Sequence, residues 1–307
     1  MRITETSAAE YKEFFMRYPH IYNTVGFSEL NREKADSLHY LLFENSKVRF
    51  GLVLGERNGR LLSPFSAPFG GFTTNRQQCF EFVDEAVALL KDYGDGMSRP
   101  VVMTLPPVFY DERQLSVMTN SMHRFGRICS MDVNYHFLIS DFDNYGMSLE
   151  RTAKNKLRQA MKEDFVFRHI DSGDVEGVDR AYCVIRRNRE EHGYPLRMSH
   201  DDVVNTIKVV DADFFLLEHE GNDIAAAQIF HVTDDICQVI YWGDLREYSR
   251  LRPMNYLAFR IFEYYRGHGV RILDIGPSTE NGVPNYGLCS FKEGIGCRSS
   301  LKFSFEI

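Results

Sequence analysis

The apolar positions change period along the chain, and each change marks an element. Ser7-Ala8-Ala9-Glu10 has the form of a capping box. Tyr11, Phe14, Phe15 and Tyr18 follow it at helical spacing, which predicts a first helix up to Tyr18, ahead of Pro19. A second helix is expected over residues 28–38. The period then shortens to that of strands at 48–54 and 61–65, around Arg57-Asn58-Gly59, and Asn-Gly is a strong hairpin signal. Helical spacing returns over 77–91, with Phe80, Val83, Val87 and Leu90 on one face and Gly94 as the stop. A buried strand at 100–105, a helix at 112–125 ended by Gly126, and a strand at 135–140 complete this half.

Asp141-Phe142-Asp143-Asn144-Tyr145-Gly146 has the composition of a joint. It divides the chain into a domain of residues 1–145 and one of residues 146–307. Beyond it, Ser148 is placed to cap a helix running to Glu163, with Leu149, Ala153, Leu157, Ala160 and Met161 as the apolar stripe. A strand at 165–170 and helices at 175–191 and 200–209 follow. Residues 214–219, 224–232 and 237–242 read as a three-strand meander. Pro253 suits the first turn of a helix to Arg266, stopped by Gly267 and Gly269. A buried strand at 270–275, a loop rich in Gly, Pro and Asn, a short helix at 288–293 and a strand at 301–307 close the order. Residues 48–140 and 224–307 thus give the same succession: strand, strand, helix, strand, helix, strand. The repeat predicts an α/β protein of mixed sheets, duplicated within one chain, with ligands bound in a cleft between the copies.

Composition narrows the classes without naming one. The chain has 307 residues, 44% hydrophobic and 26% charged, which fits about two globular domains. The longest apolar runs fall far short of the ~20 residues of a membrane helix, and the N-terminus lacks an apolar signal core, so a cytoplasmic location is expected. Net charge is −7, with 15 basic and 18 acidic residues up to Gly146 and 21 and 25 after it, so neither half is a basic module. The six cysteines form no Cys-x-x-Cys and the ten histidines no pair at zinc spacing, so no metal site is expected. The Gly-x-Gly-x-x-Gly, P-loop and Gly-x-Ser-x-Gly motifs are missing, which counts against dehydrogenases, NTPases and serine hydrolases.

One set of motifs does carry a family signal. Leu273-Asp274-Ile275-Gly276 and, after a loop, Tyr286-Gly287-Leu288-Cys289-Ser290-Phe291-Lys292-Glu293-Gly294-Ile295-Gly296 resemble the end of the FemABX-like branch of the GNAT acyltransferase superfamily. Lys154-Asn155-Lys156-Leu157-Arg158-Gln159-Ala160 resembles its basic helix, and Ile224-Ala225-Ala226 its "Ile-Ala-Gly" strand. Ser66-Ala67-Pro68-Phe69-Gly70-Gly71 resembles its N-terminal-domain loop. The resemblance spans nearly the whole chain and implies two tandem GNAT-like domains. It further implies an N-acyltransferase that moves an acyl or aminoacyl group onto an amine of cell-wall-precursor or amino-sugar type. The donor stays open between acyl-CoA and aminoacyl-tRNA, neither of them tightly bound. Where ordinary GNATs place a Gly-rich pyrophosphate loop, this chain has Tyr248-Ser249-Arg250-Leu251-Arg252-Pro253-Met254-Asn255, which is charged but lacks glycine. The long helical arm of many tRNA-dependent members has no room here. A non-catalytic binding protein on the same fold is the remaining alternative.

Within that frame individual side chains take expected roles. Lys292 offers a cation to developing negative charge; Lys292→Met is expected to disturb folding by no more than ~0.5 kcal/mol, as at a surface. Asp274, at a buried strand end, is the candidate general base, and Tyr241 the group that orients the amine or protonates the leaving group. Arg250, Arg252 and Asn255 flank a helix start and, with Lys154 and Arg158, are expected to hold donor phosphates. Ser66, Phe69, Gly70 and Gly71, where glycine permits close approach, and Tyr286 are expected to line the acceptor site.

Overall fold

One order of elements occurs twice. In the computed structural model, which describes residues 1–15 and 17–307 and only the backbone of Ser148, the first pass runs β1 (Arg2–Thr6), α1 (Ala8–Phe14), α2 (Val25–Leu30), β2 (Ser37–Glu44), β3 (Val48–Arg57), β4 (Arg60–Ser63), α3 (Phe80–Gly96), β5 (Val101–Thr104), α4 (Glu112–Phe125) and β6 (Arg127–Leu138). After α5 (Tyr145–Ser148) and α6 (Arg151–Ala160) the second pass runs β7 (Val166–Asp171), α7 (Val175–His192), α8 (His200–Thr206), β8 (Ala212–His219), β9 (Asn222–His231), β10 (Ile236–Asp244), α9 (Pro253–Arg266) and β11 (Ile272–Pro277). A small hairpin of β12 (Thr279–Glu280) and β13 (Val283–Pro284) leads into α10 (Tyr286–Gly294) and β14 (Arg298–Glu306).

The pairings repeat with the order. β1 to β4 are successively antiparallel, as are β7 to β10. A crossover helix, α3 or α9, then returns the chain so that β5 lies parallel to β4 and β11 parallel to β10. The last strand of each pass is exchanged: β14 pairs β5 (Phe305↔Met103), and β6 pairs β11 (Phe137↔Leu273). Two compact units result. Unit one holds Met1–Val133, Thr279–Val283 and Ser300–Ile307; unit two holds Asn134–Ser278 and Pro284–Ser299.

In unit one, Leu41, Phe43, Phe50, Leu52 and Leu54 of β2 and β3 meet Val83, Val87 and Leu90 of α3, while Tyr40, Leu42 and Val53 on the other face meet Tyr11 and Phe15. In unit two, Phe214–Leu217 and Ile224–Ala227 are fully buried as unbroken runs, as expected of strands covered on both faces. Asn58 and Gly59 both take positive φ (53° and 70°), the conformation the β3–β4 turn needs.

Several expectations are corrected. The second helix is Val25–Leu30, started by Thr24 accepting from Phe27 N (3.2 Å), and Ser37–Glu44 is a strand. The apolar residues there fit either period, and pairing with β3 decides it. Gly94 does not stop α3. It sits inside the helix, where a Cβ would lie 2.9 Å from the Arg99 carbonyl, and the helix runs on to Gly96. β6 spans Arg127–Leu138 and gives way to a 3-10 turn at Ile139–Asn144. The helix expected from 148 to 163 is Arg151–Ala160. The first helix ends at Phe14, with Phe15 already extended (φ −119°), short of the expected Tyr18; a cap by the Ser148 side chain lies outside the described residues. Among the described residues no helix is long and apolar enough to cross a membrane.

Candidate active site

In unit two the parallel pair β10 and β11 comes apart. They pair at Ile236↔Ile272, Cys237↔Leu273 and Gln238↔Asp274. Beyond that point both strands continue, β10 to Asp244 against β9 and β11 to Pro277 against β6, but among the described residues no pairing joins them. Each strand bulges where the split begins: Ile240 is the extra residue of β10 and Ile275 that of β11. The result is a wedge whose inner edge on β10 is left without a strand partner.

Buried polar groups fix the base of the wedge. Asp274, fully buried, accepts from Asn134 Nδ2 (2.7 Å) and the Gly276 N–H (2.9 Å) on one oxygen and from Gln238 Nε2 (2.7 Å) on the other. Gly276 has φ +77°, so the bulge at this point favours glycine. Lys292 of α10 reaches in from the side. Its Nζ donates to the carbonyls of Ile275 (3.0 Å), Gly276 (2.8 Å) and Pro277 (3.0 Å), and the residue is 4% exposed. The expectation of a surface lysine is therefore corrected: three donors on an ammonium meet three carbonyls at the end of β11, where the strand has lost β10 as a partner. Asp274 and Lys292 thus tie the end of β11 to Asn134, to Gln238 of β10 and to α10.

The β10 bulge also inverts which way its side chains point, because one extra residue exchanges the two faces. Before it, Cys237 meets Tyr265 of α9. After it, Gly243 lies against α7, where a Cβ would come within 2.3 Å of Asn188, and Asn188 Nδ2 donates to the Asp244 carbonyl (2.6 Å). Tyr241 shares that face. Its ring lies 5.1 Å from the Arg189 guanidinium carbon, and its Oη accepts from the Arg197 N–H (3.1 Å), so its own proton is left to donate. Trp242 faces the other way, onto Phe291 of α10 (5.7 Å). Asp244, at the end of β10, is pushed up to about 6 by burial.

From Asp244 the chain enters a 3-10 turn, Arg246–Leu251, and reaches Arg252 in a left-handed conformation (φ 63°) directly before Pro253 opens α9. Arg250 and Arg252 are exposed and, among the described residues, carry no carboxylate partner; Glu247 is engaged by Arg187 (3.0 Å). Asn255 donates its backbone N–H to the Arg252 carbonyl (3.1 Å). Gln159 Nε2 donates to the Arg250 carbonyl (2.8 Å), which ties α6, with exposed Arg158 beside it in sequence, to this turn. Lys154 of the same helix caps the Met147 carbonyl (3.0 Å).

The remaining expected residues lie elsewhere. Tyr286, at the first turn of α10, is 77% exposed. The Ser66–Gly71 loop belongs to unit one and is occupied by its own chain. Ser66 Oγ donates to Asn31 Oδ1 (2.9 Å), and Phe69 is buried edge-on to His20 (4.9 Å). The Gly70 N–H reaches the Thr104 carbonyl (2.9 Å) and the Gly71 N–H reaches Ser63 Oγ (3.0 Å). A Cβ on Gly70 would lie 2.6 Å from Ser63 Oγ, so close approach here serves the fold. Burial pushes His20 down to about 3 and keeps it neutral. A surface depression of about 570 Å³ in unit one, lined by Lys91, Arg99, Arg127 and Glu306, contains no residue of the wedge; its two arginines are paired with Glu56 and Glu306.

Sequence reasoning passed over Asn134, Gln238, Asp244 and Arg189. For the first two a signal was present: a lone amide inside an apolar strand has to find a buried partner. Asp244 and Arg189 had none, because neither is unusual in its local sequence.

Neither the family models nor the curated proteins compared with this sequence give a match. Solved structures do. FemX is similar over 100% of this chain and 97% of its own, at TM-score 0.68 and 14% identity. L-PGS from Bacillus licheniformis is similar over 98% and 92%, at 0.63 and 13%. A tandem GNAT protein from the clavulanic acid biosynthesis pathway is similar over 99% and 97%, at 0.53 and 11%. The fold is a tandem GNAT-type α/β fold. Within that class it is of the kind seen in FemX, and the repeated order of β1–β6 and β7–β14 is its internal duplication.

Proposed function

We propose that this protein is an N-acyltransferase acting at the β10–β11 wedge of unit two. The observation that carries the reading is the stopped ladder: a strand edge not paired to β11 offers backbone N–H and C=O groups to an extended ligand. A thioester or aminoacyl ester laid along β10 would have its phosphates at the start of α9, near Arg250 and Arg252, where a helix N-terminus and fork-shaped donors favour anions. Pro253 takes one N–H from that set, and the two arginines compensate with charge.

The acceptor amine attacks the donor carbonyl carbon. The N–C bond forms, the C–S or C–O bond to the donor breaks, and the ammonium proton passes to Asp244. Tyr241 supplies a proton to the leaving atom. Positioning contributes much of the rate. Asp274 and Lys292 act as positioning residues through the shape of the wedge. A cell-wall precursor or amino-sugar is the acceptor type in keeping with the family resemblance. An aminoacyl-tRNA donor is favoured by a specific feature: exposed Arg151, Lys156, Arg158 and Lys162 lie along or just after α6, which Gln159 fastens to the turn bearing Arg250.

Two outcomes test this. An acyl-CoA at saturation should raise the melting temperature through linkage, and the double variant Arg250→Ala, Arg252→Ala should remove at least 80% of that rise. No rise with acyl-CoA, combined with no binding of aminoacyl-tRNA in a filter assay, rejects the reading. With Asp244 as base, kcat/KM should climb through about pH 6. Asp244→Asn should flatten that limb and lower the plateau by about a hundredfold, the middle of the range for general-base catalysis. An unchanged limb in the variant removes Asp244 from the mechanism.

A further inference from the structure

α7 carries several arginines, and most are committed. Arg180 binds Glu218 and Asp223 (both 2.7 Å), Arg187 binds Glu191 and Glu247 (both 3.0 Å), and Arg186 lies 3.8 Å from Glu190. Arg189 is different. Among the described residues no carboxylate lies within ion-pair distance of its guanidinium, and its Nε is buried with no acceptor. Two rings flank it instead: its guanidinium carbon is 5.1 Å from the Tyr241 ring and 5.7 Å from the Tyr194 ring. Tyr194 in turn stacks on His192 (5.6 Å).

A guanidinium stays charged at any physiological pH, and here one of its N–H donors, that on Nε, is kept from water without an acceptor, which is costly. Such a group is tolerable where a ligand supplies the acceptor. Aromatic walls suit that arrangement, because they hold the planar fork by its faces and leave its edge for an anion.

The position in the fold says which ligand. Tyr241 and Gly243 put α7 on one face of β10 past the bulge, while Trp242 meets α10 on the opposite face. The donor-phosphate residues lie further on, past Asp244, where the turn leads into α9. Arg189 therefore stands on the α7 side of the wedge, with Tyr241. His192 and Glu191 of the same helical turn act on the carboxyl of Asp244, the group that would take the amine's proton.

Resting on the acyltransferase reading, we infer that Arg189 is the specificity residue for the acceptor, which is an amine carrying an anionic group, carboxylate or phosphate. The anion docks on the Arg189 fork between Tyr194 and Tyr241, and this turns the amine toward Asp244. Neutral amines lack that anchor.

The test uses two matched pairs of amines on the full chain: alanine against alaninamide, and glucosamine 6-phosphate against glucosamine, each titrated calorimetrically. In one pair the anionic member should bind at least tenfold tighter, and which pair responds tells carboxylate from phosphate. Arg189→Met should erase the preference. Arg189→Lys, which keeps the charge but loses the fork, should weaken it at least threefold. Arg186→Met, an exposed neighbour on the same helix, should leave it intact. Melting curves of all three establish that they fold. Equal binding within both pairs, or a preference that survives in both Arg189 variants, overturns the inference. If acyl-CoA still binds in that case, only the acceptor assignment fails. If neither acyl-CoA nor aminoacyl-tRNA binds while the Arg189-dependent preference persists, the acyltransferase reading fails and the anion site stands.

Discussion

Lys292→Met should destabilise the protein by about 3 kcal/mol, since hydrogen bonds from a charged donor contribute about 1.5–3 kcal/mol and three carbonyls lose theirs at once. Removing the ammonium also removes its own desolvation cost, which keeps the loss below the simple sum of three bonds. Methionine fills nearly the same volume, so no cavity term is added. The carbonyls of Ile275, Gly276 and Pro277 stay buried or near-buried at the end of β11, and methionine gives them no donor. Urea unfolding monitored through Trp242, the single tryptophan, which packs on Phe291 one residue before Lys292, reads this directly. A loss under 0.5 kcal/mol, the scale of a surface change, would mean that the ammonium does not hold the strand end. Transfer activity should fall as well, and in the folded fraction too, because the clamp sets where β11 leaves β10. Lys292→Arg, which keeps charge but spreads its donors over a longer planar fork instead of gathering three on one nitrogen, should recover stability only in part.

How much of this was legible depends on the reach of each cause. Helices Glu112–Phe125 and Pro253–Arg266 have the bounds expected from sequence, since their punctuation is local. Asp111 accepts from the Gln114 N–H (3.0 Å), Gly126 ends the one, and Pro253 and Gly267 frame the other. The duplication was legible for the same reason, although it starts earlier than the strand order suggested, at β1 and β7. β1 escaped because five mostly exposed residues carry almost no pattern. The exchange of β6 and β14 between the two passes had no local cause at all, because pairing of distant strands leaves no mark on either strand's own alternation. The site divides in the same way. Asp274, Lys292, Tyr241 and Arg250 could be picked out from motif and chemistry; the partners each one has in the fold could not. Asp274 takes its partners from 36 and 140 residues away, and Lys292 takes carbonyls 15 to 17 residues upstream. The wedge itself consists of hydrogen bonds that β10 and β11 do not make, and no residue type announces that. At the Ser66–Gly71 loop two glycines allow close approach, and the groups that approach in the fold, the chain's own Ser63 and Thr104, are not visible in the local sequence.

Asp213→Asn should cost about 2–3 kcal/mol between pH 4 and 6.5, because a carboxylate brought from its ordinary 3.8 down to about 2 by the fold gains about that much from ionising in place. Burial opposes ionisation of Asp213. Bonds from His231 Nε2, Tyr265 Oη and His169 Nε2, all 2.7 Å, outweigh it and bring the group to about 2. The same bond to Asp213, with Cys237 behind it, raises His231 to about 10. This is one interaction seen from its two ends. His231 is 39% exposed and screened, so the Asp213 end, 13% exposed, sets the magnitude. The signs give a plateau with two shoulders. A lowered carboxylate stabilises fully above its unfolded value near 3.8 and loses that as pH falls toward 2. A raised imidazole stabilises fully below about 6.5 and loses that as pH rises through about 10. The gap in unfolding free energy between wild type and Asp213→Asn should therefore be widest near pH 5–6 and narrow on both sides. On the alkaline side a remnant should persist, since a neutral imidazole N–H still donates to the carboxylate. His231→Gln, with an amide donor and no titration, should keep the acid shoulder and remove the alkaline one. A gap that does not change with pH would show that Asp213 acts through packing alone, and a gap that widens toward pH 10 would reverse the assigned polarity of the pair. The cluster joins β8, β9 and α9 on the strand segment just before the β10 split, so the same variant should also reveal whether the wedge needs a fixed base. A drop in acyl-CoA affinity at pH 6 that disappears at pH 10, in step with the stability gap, is the result expected if it does.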